Sequence, residues 1–380
     1  MTTTYGILST YPPTQCGLAT FSAALVDSVR SPSDLVSVVA VGDARRNDYP
    51  PEVTHQWVRG SSGGAAAVAA HLNSRDVVII QHEYGIFGGP DGVDVLAVGR
   101  ALTVPLVVVL HTVLTAPTLS QRAILNELVS LSDVVVTMTW TARQRLVEQY
   151  GADPGSIVVI PHGAGDTHLT LSGAVTRSES ARPVILTWGL LGEGKGIEWG
   201  IAAMAALSDL DPRPLYAIVG ETHPKVVERE GEAYRRMLVA ESRRLGVEGL
   251  VSFEDRYLAT KELQRIVQDA DVILLPYDSL DQVTSGVLVE AITAGKPVVS
   301  TRFPHAVELL AGGVGTLVDR QDPGQIADAL RSILTDPALA QRMSAKARRL
   351  APDLLWSAVG ARYRDVAGSL ASVERVAVSA

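Results

Sequence analysis

Histidines, a carboxylate and a phenol follow two neighbouring apolar runs in the first half of the sequence. His82, Glu83 and Tyr84 come shortly after one such run, and His111 comes directly after the next. In doubly wound sheets, ligands bind beyond the carboxyl ends of the strands. Side chains of these types at two strand ends are suited to hydrogen-bonding the hydroxyls of a sugar or another acceptor. The alternative is that each histidine only hydrogen-bonds its own loop.

A glycine-rich loop with a single lysine follows an apolar run in the second half. Gly189, Gly192, Gly194 and Gly196 surround Lys195. Glycines let backbone N–H groups approach an anion closely, and a lysine adds a mobile point charge. The spacing is not that of a Walker A loop. The loop therefore predicts phosphate binding, with a plain flexible turn as the alternative.

A helix N-terminus follows the apolar run 272–276. Ser285 and Gly286 stand where the helical pattern begins, and free N–H groups together with the positive end of the helix dipole favour an anion there. Glu290 lies slightly more than one turn further on, where its carboxylate can accept hydrogen bonds from two ribose hydroxyls; a solvated glutamate is the alternative. Gly17, at the start of an earlier helix, is a candidate of the same kind, but a single glycine is weak evidence and a plain tight turn is the alternative.

Composition excludes several classes of protein. The chain has 380 residues, of which 47% are apolar and 19% charged, so it is expected to fold throughout. Its net charge of −8, without a basic stripe, argues against a nucleic-acid partner. Cys16 is the only cysteine, which forbids an intrachain disulfide and favours a reducing cytoplasm. Since neither a signal peptide nor a membrane-spanning run is recognisable, membrane contact is expected to be peripheral at most.

Short β-branched runs alternate with helical patterns along the whole sequence. The predicted strands cover residues 5–9, 36–41, 76–80, 106–110, 134–138, 157–160, 184–187, 215–219, 272–276 and 297–300. The predicted helices include residues 119–131, 141–150, 234–245, 261–269, 323–334 and 353–371. This alternation predicts βαβ units and therefore parallel sheets in an α/β fold.

The alternation fails once, over residues 163–183, which are rich in Gly, Ser, Thr and Ala. We therefore predict one Rossmann-like domain over residues 1–165, a second over residues 166–355, and a C-terminal helix over residues 356–380 that packs back on the first domain. With two such domains, the deepest site is expected in the cleft between them.

Together these motifs resemble the retaining glycosyltransferases of family four, which have the GT-B fold of two Rossmann-like doubly wound domains. The resemblance covers essentially the whole chain and rests on residues 11–13, 81–85, 110–112, 160–163, 189–196, 284–286 and 294–299. It implies a nucleotide-diphospho-sugar donor held mainly by the C-terminal domain. A glycan, lipid or small-molecule acceptor would be held mainly by the N-terminal domain, near His82, Glu83 and Tyr84.

The resemblance also implies roles for individual residues. Lys195 would pair with the diphosphate, Glu290 would hold the ribose, and His111 would touch the transferred sugar near its anomeric centre. The donor-binding residues implied in this way are Gly17, Gly189, Gly194, Ser285, Gly286, Val287 and Glu290.

Two positions depart from the family pattern. Gln282 stands where the family usually has the first glutamate of its Glu-x7-Glu motif, so that the contact with a sugar hydroxyl falls to an amide. Leu190 stands where many members carry an arginine, which removes one charge that would neutralise phosphate.

Two Asp-x-Asp patterns, at residues 209–211 and 269–271, could suggest a metal site. Both come just before predicted strands, at the edge away from the expected ligands, so we expect neither a metal nor another cofactor. Lys195 and the helix N-terminus at Ser285 would instead stabilise the leaving diphosphate.

The expected function is retaining transfer of a hexose, from GDP-mannose or UDP-glucose, to an unknown acceptor. The alternatives are a non-catalytic sugar-nucleotide-binding protein and a GT-B sugar-nucleotide epimerase. Donor consumption that depends on an added acceptor would separate the transferase from both.

Overall fold

The computed structural model describes residues 3–31, 34–166, 182–279 and 282–378. Its strands are β1 (Thr4–Ser9), β2 (Leu35–Gly42), β3 (Val53–Val58), β4 (Val77–His82), β5 (Leu106–Leu110), β6 (Val134–Thr137), β7 (Ile157–Val159), β8 (Val184–Trp188), β9 (Leu215–Val219), β10 (Val251–Glu254), β11 (Val272–Leu275), β12 (Val298–Thr301) and β13 (Gly315–Val318).

The helices within the same described residues are α1 (Gly17–Val29), α2 (Gly64–Leu72), α3 (Val95–Ala101), α4 (Leu119–Leu131), α5 (Trp140–Tyr150), α6 (Ile197–Ala206), α7 (Pro224–Glu230), α8 (Ala233–Arg244), α9 (Thr260–Asp269), α10 (Gly286–Thr293), α11 (Pro304–Leu310), α12 (Pro323–Thr335), α13 (Pro337–Leu354) and α14 (Trp356–Val378). The chain divides into two compact units, and each is described by itself.

The first unit comprises Met1–Gly163 and Trp356–Ala380. In its described residues the parallel strands form one sheet in the order β3-β2-β1-β4-β5-β6-β7, which is a doubly wound topology. The central strands β4 and β5 are buried along their whole length, because Val, Ile and Leu occupy both faces of each strand. Helix α14 crosses α1 so closely that a Cβ on Gly360 would lie 2.6 Å from the Ser28 carbonyl oxygen.

The second unit is Ala164–Leu355. Its described strands form a parallel sheet in the order β10-β9-β8-β11-β12-β13. Buried Leu, Ile and Val side chains of β8 and β11 pack beneath helices on both faces. The predicted α/β class, with two doubly wound parallel sheets, is therefore confirmed.

Three strands were not predicted, and all three lie at sheet edges: β3, β10 and β13. An edge strand has one side open to solvent, so it tolerates polar residues and shows no continuous apolar run. The sequence of β3, VTHQWV, illustrates this mixture.

The prediction of one helix over residues 353–371 is wrong at its start. The chain is extended at Leu355, between the end of α13 and the beginning of α14. At this point it pairs with residue 164 in a parallel bridge, and the Ala164 N–H donates to the Leu354 carbonyl at 2.8 Å. Of the predicted interdomain segment 163–183, residues 167–181 lie outside the described part of the chain.

Among the described residues, no helix combines the length and the apolar character needed to cross a membrane.

Candidate active site

The lysine loop lies between β8 and α6 and is fitted tightly against the loop that follows β11. Gly196 has φ 62°, and a Cβ at this residue would fall 1.9 Å from the Pro276 carbonyl oxygen. The Asp278 N–H also donates to the Gly194 carbonyl at 2.9 Å. Only glycine fits at residue 196, because any other residue would be strained and would overlap backbone atoms. Two neighbouring strands therefore hold the lysine loop in place.

The same loop contacts the end of β9 and the start of α10. Gly220, with φ 138°, follows β9, and a Cβ there would lie 2.1 Å from the Gly189 carbonyl oxygen. A Cβ built on Gly189 would lie 3.8 Å from a methyl group of Val287. The predicted phosphate cradle and the N-terminus of α10 are thus neighbours within the second unit.

Lys195 is half-buried, with its ammonium 4.5 Å above the ring centre of Tyr277. This cation–π contact supports the side chain without neutralising its charge. Within the described part of the chain Lys195 forms no ion pair. Burial lowers the pKa of nearby His223, and the positive charges of Lys225 and Lys195 add to this effect. The Lys195 charge remains available to an anion.

The N-terminus of α10 differs in one respect from expectation. The Ser285 hydroxyl caps the helix by accepting from the Leu288 N–H at 3.3 Å, but its own N–H donates to His305 Nδ1 at 2.8 Å. The Ser285 amide is thus engaged within the protein. This corrects the expectation for Ser285, which was predicted with Gly286 and Val287 to bind the donor but does not offer its backbone N–H to an anion. Gly286 and Val287, the first two residues of the helix, keep N–H groups without an intrahelical acceptor.

Glu290 is held at the carboxyl end of β8. Trp188 Nε1 donates to Glu290 Oε2 at 3.2 Å, and the other carboxylate oxygen has no donor among the described residues. Burial raises the pKa of Glu290 to about 7, against a smaller lowering by the Trp188 hydrogen bond. One carboxylate oxygen is therefore free to accept a ligand hydroxyl.

Gln282 lies just before the same helix and is half-buried. Its side-chain amide donates to the Thr284 carbonyl at 3.2 Å, which leaves its side-chain carbonyl for another partner. The two residues before Gln282 are outside the described ranges.

In the first unit, His111 follows β5 and is fixed on several sides. Its ring Nε2 lies 2.7 Å from Gln81 Oε1, and its backbone N–H donates to the His82 backbone carbonyl at 3.1 Å. Phe21 contacts the imidazole edge-on, with 4.8 Å between the ring centres. Burial lowers the pKa of His111 well below its usual range, and the neighbouring His162 and His82 add to this effect. His111 is therefore a neutral imidazole at physiological pH.

The structure adds an aromatic cluster beside His111, formed by Phe21, His162 and Trp356, whose members were not identified as site residues. Phe21 contacts both His162 and Trp356 at ring-centre distances of 5.0 Å. Gly163 makes room for this cluster, since a Cβ there would fall 2.3 Å from the indole of Trp356. His162 follows β7, so the rule that placed His111 at a strand end could also have identified His162. The contribution of Trp356, almost 200 residues later, has no local signal.

Three predicted acceptor residues are directed elsewhere. His82 is completely buried, with its ring 5.1 Å from Tyr84 and 6.4 Å from Phe87, so it cannot contact an acceptor. Glu83 accepts from the Thr112 hydroxyl, and Tyr84 is buried and donates to the Gln121 carbonyl at 3.3 Å. The reason is strand alternation: Gln81 and His82 point to opposite faces of β4, and it is Gln81 that shares a face with His111.

Gly17 is the first residue of α1 and is exposed; a Cβ there would contact nothing within 4 Å. The Cys16 sulfur before it caps the helix by accepting from the Ala19 N–H at 3.3 Å. Space for a ligand therefore exists at Gly17, but the described contacts do not require glycine there.

The two Asp-x-Asp patterns lie before strands, as expected. Asp209 pairs with Arg331 at 2.7 Å, and Asp271 accepts from the Val184 N–H at 2.6 Å, at the amino end of the second sheet. These carboxylates have structural partners at the edge opposite the lysine loop.

Comparison with known proteins assigns both halves of the chain. Residues 174–350 match the family model described as glycosyl transferases group 1, and residues 32–165 match glycosyltransferase family 4. The chain is 30% identical over 298 residues to the D-inositol 3-phosphate glycosyltransferase of Corynebacterium aurimucosum, which covers 74% of this chain and 68% of that protein. A relative of the same name from Corynebacterium diphtheriae is 30% identical over 267 residues, covering 67% of this chain but only 60% of the relative's own length.

Solved structures share the fold over nearly the whole chain. A glycosyltransferase from Rickettsia africae superimposes with a TM-score of 0.78 at 14% identity, covering 97% of this chain and 98% of the other. Anabaena Alr3699/HepE, solved in complex with UDP, gives a TM-score of 0.74 at 19% identity and covers 97% of this chain and 100% of the other. The two Rossmann-like units are therefore those of the GT-B class, and the chain belongs to the glycosyltransferases of group 1 and family 4.

Proposed function

We propose that the chain is a retaining hexosyltransferase that takes its sugar from a nucleotide-diphospho-sugar. The observation that carries the proposal is the arrangement around Lys195. Its charge has no carboxylate partner in the described ranges, and its loop adjoins the free amides of Gly286 and Val287. A lysine, glycine-rich backbone and a helix N-terminus together suit a diphosphate.

This arrangement meets the requirement of the reaction. The bond between the anomeric carbon and the diphosphate oxygen breaks, and negative charge collects on the leaving diphosphate. Preorganised cations and N–H donors lower the barrier when they lie where that charge develops. Lys195, Gly286 and Val287 supply these groups. As the new bond forms on the same face, a donor phosphate oxygen takes the proton of the acceptor hydroxyl.

The ribose of the nucleotide would be held by Glu290. The carboxylate oxygen left free by Trp188 accepts from a ribose hydroxyl, while the Trp188 hydrogen bond keeps the side chain in position. With a pKa near 7, the group can act both as carboxylate and as carboxylic acid around neutral pH.

In the second unit, Gln282 would hydrogen-bond a hydroxyl of the transferred sugar. In the first unit, described by itself, the neutral imidazole of His111 is the proposed partner for a sugar hydroxyl. GDP-mannose and UDP-glucose remain the two donors that we propose. Alr3699/HepE was solved with UDP, which supports testing uridine donors. Because relatives are named D-inositol 3-phosphate glycosyltransferases, that compound is the first acceptor to test, followed by glycans and lipids.

A binding screen followed by turnover tests this function. We expect UDP or GDP, and the matching sugar nucleotide, to raise the melting temperature, since ligands that bind only the native state stabilise it. Consumption of the donor should require an added acceptor, and the anomeric configuration of the product, read by NMR, should equal that of the donor. Hydrolysis or epimerisation without an acceptor would identify the epimerase, and binding without any turnover would identify a binding protein.

We also propose that the transfer needs no divalent metal, because Lys195 and the α10 N-terminus provide the positive charge. Activity in excess EDTA should therefore stay within about twofold of the untreated enzyme, a change of less than about 0.5 kcal/mol in the barrier. Loss of activity in EDTA that Mg²⁺ or Mn²⁺ restores would contradict this expectation.

Gln282→Ala should lower kcat several-fold, about 1 kcal/mol in the barrier, and leave nucleoside-diphosphate affinity unchanged. The amide would hydrogen-bond a sugar hydroxyl, which the free nucleoside diphosphate lacks. Steady-state kinetics and calorimetry with the free diphosphate measure the two effects separately. Unchanged kinetics would remove Gln282 from the site.

A further inference from the structure

We propose that Gln81 is a positioning residue that fixes the tautomer of His111, so that Nε2 carries the proton and Nδ1 is left as the acceptor for a ligand. The role of this acceptor toward a sugar hydroxyl depends on the proposed function, whereas the tautomer itself does not.

The position of Gln81 supports this inference. Gln81 is completely buried in β4, and its Oε1 lies 2.7 Å from His111 Nε2. A carbonyl oxygen only accepts, so the proton between the two atoms belongs to the imidazole. Gln81 Nε2 has no partner in the described part of the chain. A buried glutamine that leaves its own amide unpaired is costly, which argues for a role beyond packing.

Two further contacts hold His111 beside Gln81. The backbone N–H of His111 donates to the His82 backbone carbonyl, which fixes the main chain, and Phe21 lies edge-on against the imidazole at an interplanar angle of 86°. With Nε2 on Gln81, the opposite edge of the half-buried ring carries Nδ1. Nδ1 has no hydrogen-bond partner among the described residues and keeps some exposure to solvent. It is therefore open to a ligand.

A neutral imidazole has one N–H, so fixing the proton on Nε2 makes Nδ1 an acceptor. As an acceptor, Nδ1 takes a hydrogen bond from a sugar hydroxyl. The other tautomer would instead donate a hydrogen bond through its Nδ1–H. Gln81 thus determines the hydrogen-bonding polarity of His111 without touching the ligand. The titratable groups whose charges act on the ring are His162 after β7 and His82 on β4.

The test is nitrogen NMR of the full chain labelled with ¹⁵N-histidine, with His111 assigned by its loss in His111→Ala. Long-range ¹H–¹⁵N correlation distinguishes the tautomers directly. We expect the parent to show the Nε2–H form, and Gln81→Leu, of similar size but without a hydrogen-bonding group, to show a mixture. Gln81→Glu, which places a carboxylate on Nε2–H, should raise the pKa of His111 and populate the imidazolium near neutral pH.

Ser22→Ala is the matched control, because it removes another completely buried hydrogen bond of the same unit, from Ser22 to Ser9 at 2.7 Å. It should leave the His111 tautomer and pKa unchanged. In turnover, Gln81→Leu should lower kcat about tenfold, the loss expected when one hydrogen bond to the sugar is misaligned, and should leave nucleoside-diphosphate affinity unchanged.

The outcomes separate this inference from the proposed function. An Nδ1–H tautomer in the parent, or the same tautomer and pKa in both Gln81 variants, overturns the positioning role even if the enzyme transfers sugar. If Gln81→Leu fails to fold, the parent spectrum and Gln81→Glu decide. An Nε2–H parent that responds to the Gln81 variants but transfers no sugar upholds the positioning role and refutes the proposed function.

Discussion

Lys195→Ala is expected to lower kcat/KM for the sugar nucleotide about 100-fold, which corresponds to about 2.7 kcal/mol of lost transition-state stabilisation. The ammonium lies over the Tyr277 ring and has no carboxylate partner in the described residues, so its charge is not needed to balance another group of the protein. Removing it should therefore affect the ligand far more than the fold.

Two controls separate charge from packing. Lys195→Met keeps an aliphatic chain over Tyr277 and should lose as much activity as Lys195→Ala. Lys261→Ala removes an exposed lysine of the same unit, at the start of α9, and should change neither activity nor melting temperature. Initial rates at subsaturating donor give kcat/KM for all four proteins. Parental rates in Lys195→Ala and Lys195→Met would show that the diphosphate lies elsewhere.

The rule that ligands bind beyond strand ends accounts for what the sequence could locate. It led to His111 directly after β5, to Lys195 in the loop between β8 and α6, and to Glu290 in α10, the helix that follows the loop after β11. The glycines of the lysine loop were predicted as a phosphate cradle. Their packing against Pro276 and Gly220 gives a second, steric reason for glycine that only the folded loops reveal.

Other features depend on contacts between segments far apart in sequence. The backbone N–H of Ser285 is bonded to His305, twenty residues later. The aromatic cluster beside His111 includes Trp356, which contacts Phe21. The face on which a side chain lies was a further difficulty. Successive side chains of a strand point to opposite faces of the sheet. The apolar run ahead of Gln81 and His82 therefore could not show which of these two side chains contacts His111.

A further expected result concerns the pH dependence of stability and arises at His82, the completely buried imidazole. Both of its ring nitrogens lack partners in the described residues, and burial lowers the pKa of His82 to about 4. In the unfolded chain the pKa of a histidine is about 6.5, so the unfolded state binds the proton more readily. Titration of His82 therefore leaves the free energy of unfolding unchanged above about pH 6.5. As the pH falls from there toward about 4, protonation of His82 in the unfolded state lowers that free energy.

At about pH 5 this histidine alone should cost about 2 kcal/mol of the free energy of unfolding, relative to about pH 7.5. His162, whose pKa burial also lowers to about 4, acts in the same direction. His82→Leu removes the titrating group and two unpaired nitrogens at similar volume. The variant should be at least as stable as the parent at about pH 7.5 and should gain about 2 kcal/mol relative to the parent at about pH 5.

Urea denaturation followed by circular dichroism at the two pH values measures these free energies. His55→Leu is the matched control, since His55 is a half-buried histidine of the same unit, on edge strand β3, whose pKa burial lowers less severely. Its curve should retain most of the acid sensitivity of the parent. His82→Gln, which keeps a polar side chain but cannot take up a proton in this range, serves if the leucine is not accommodated. Equal acid sensitivity in the parent and in both His82 variants would show that protonation of other groups governs the acid response, and that the buried imidazole is not the weak point of the first unit.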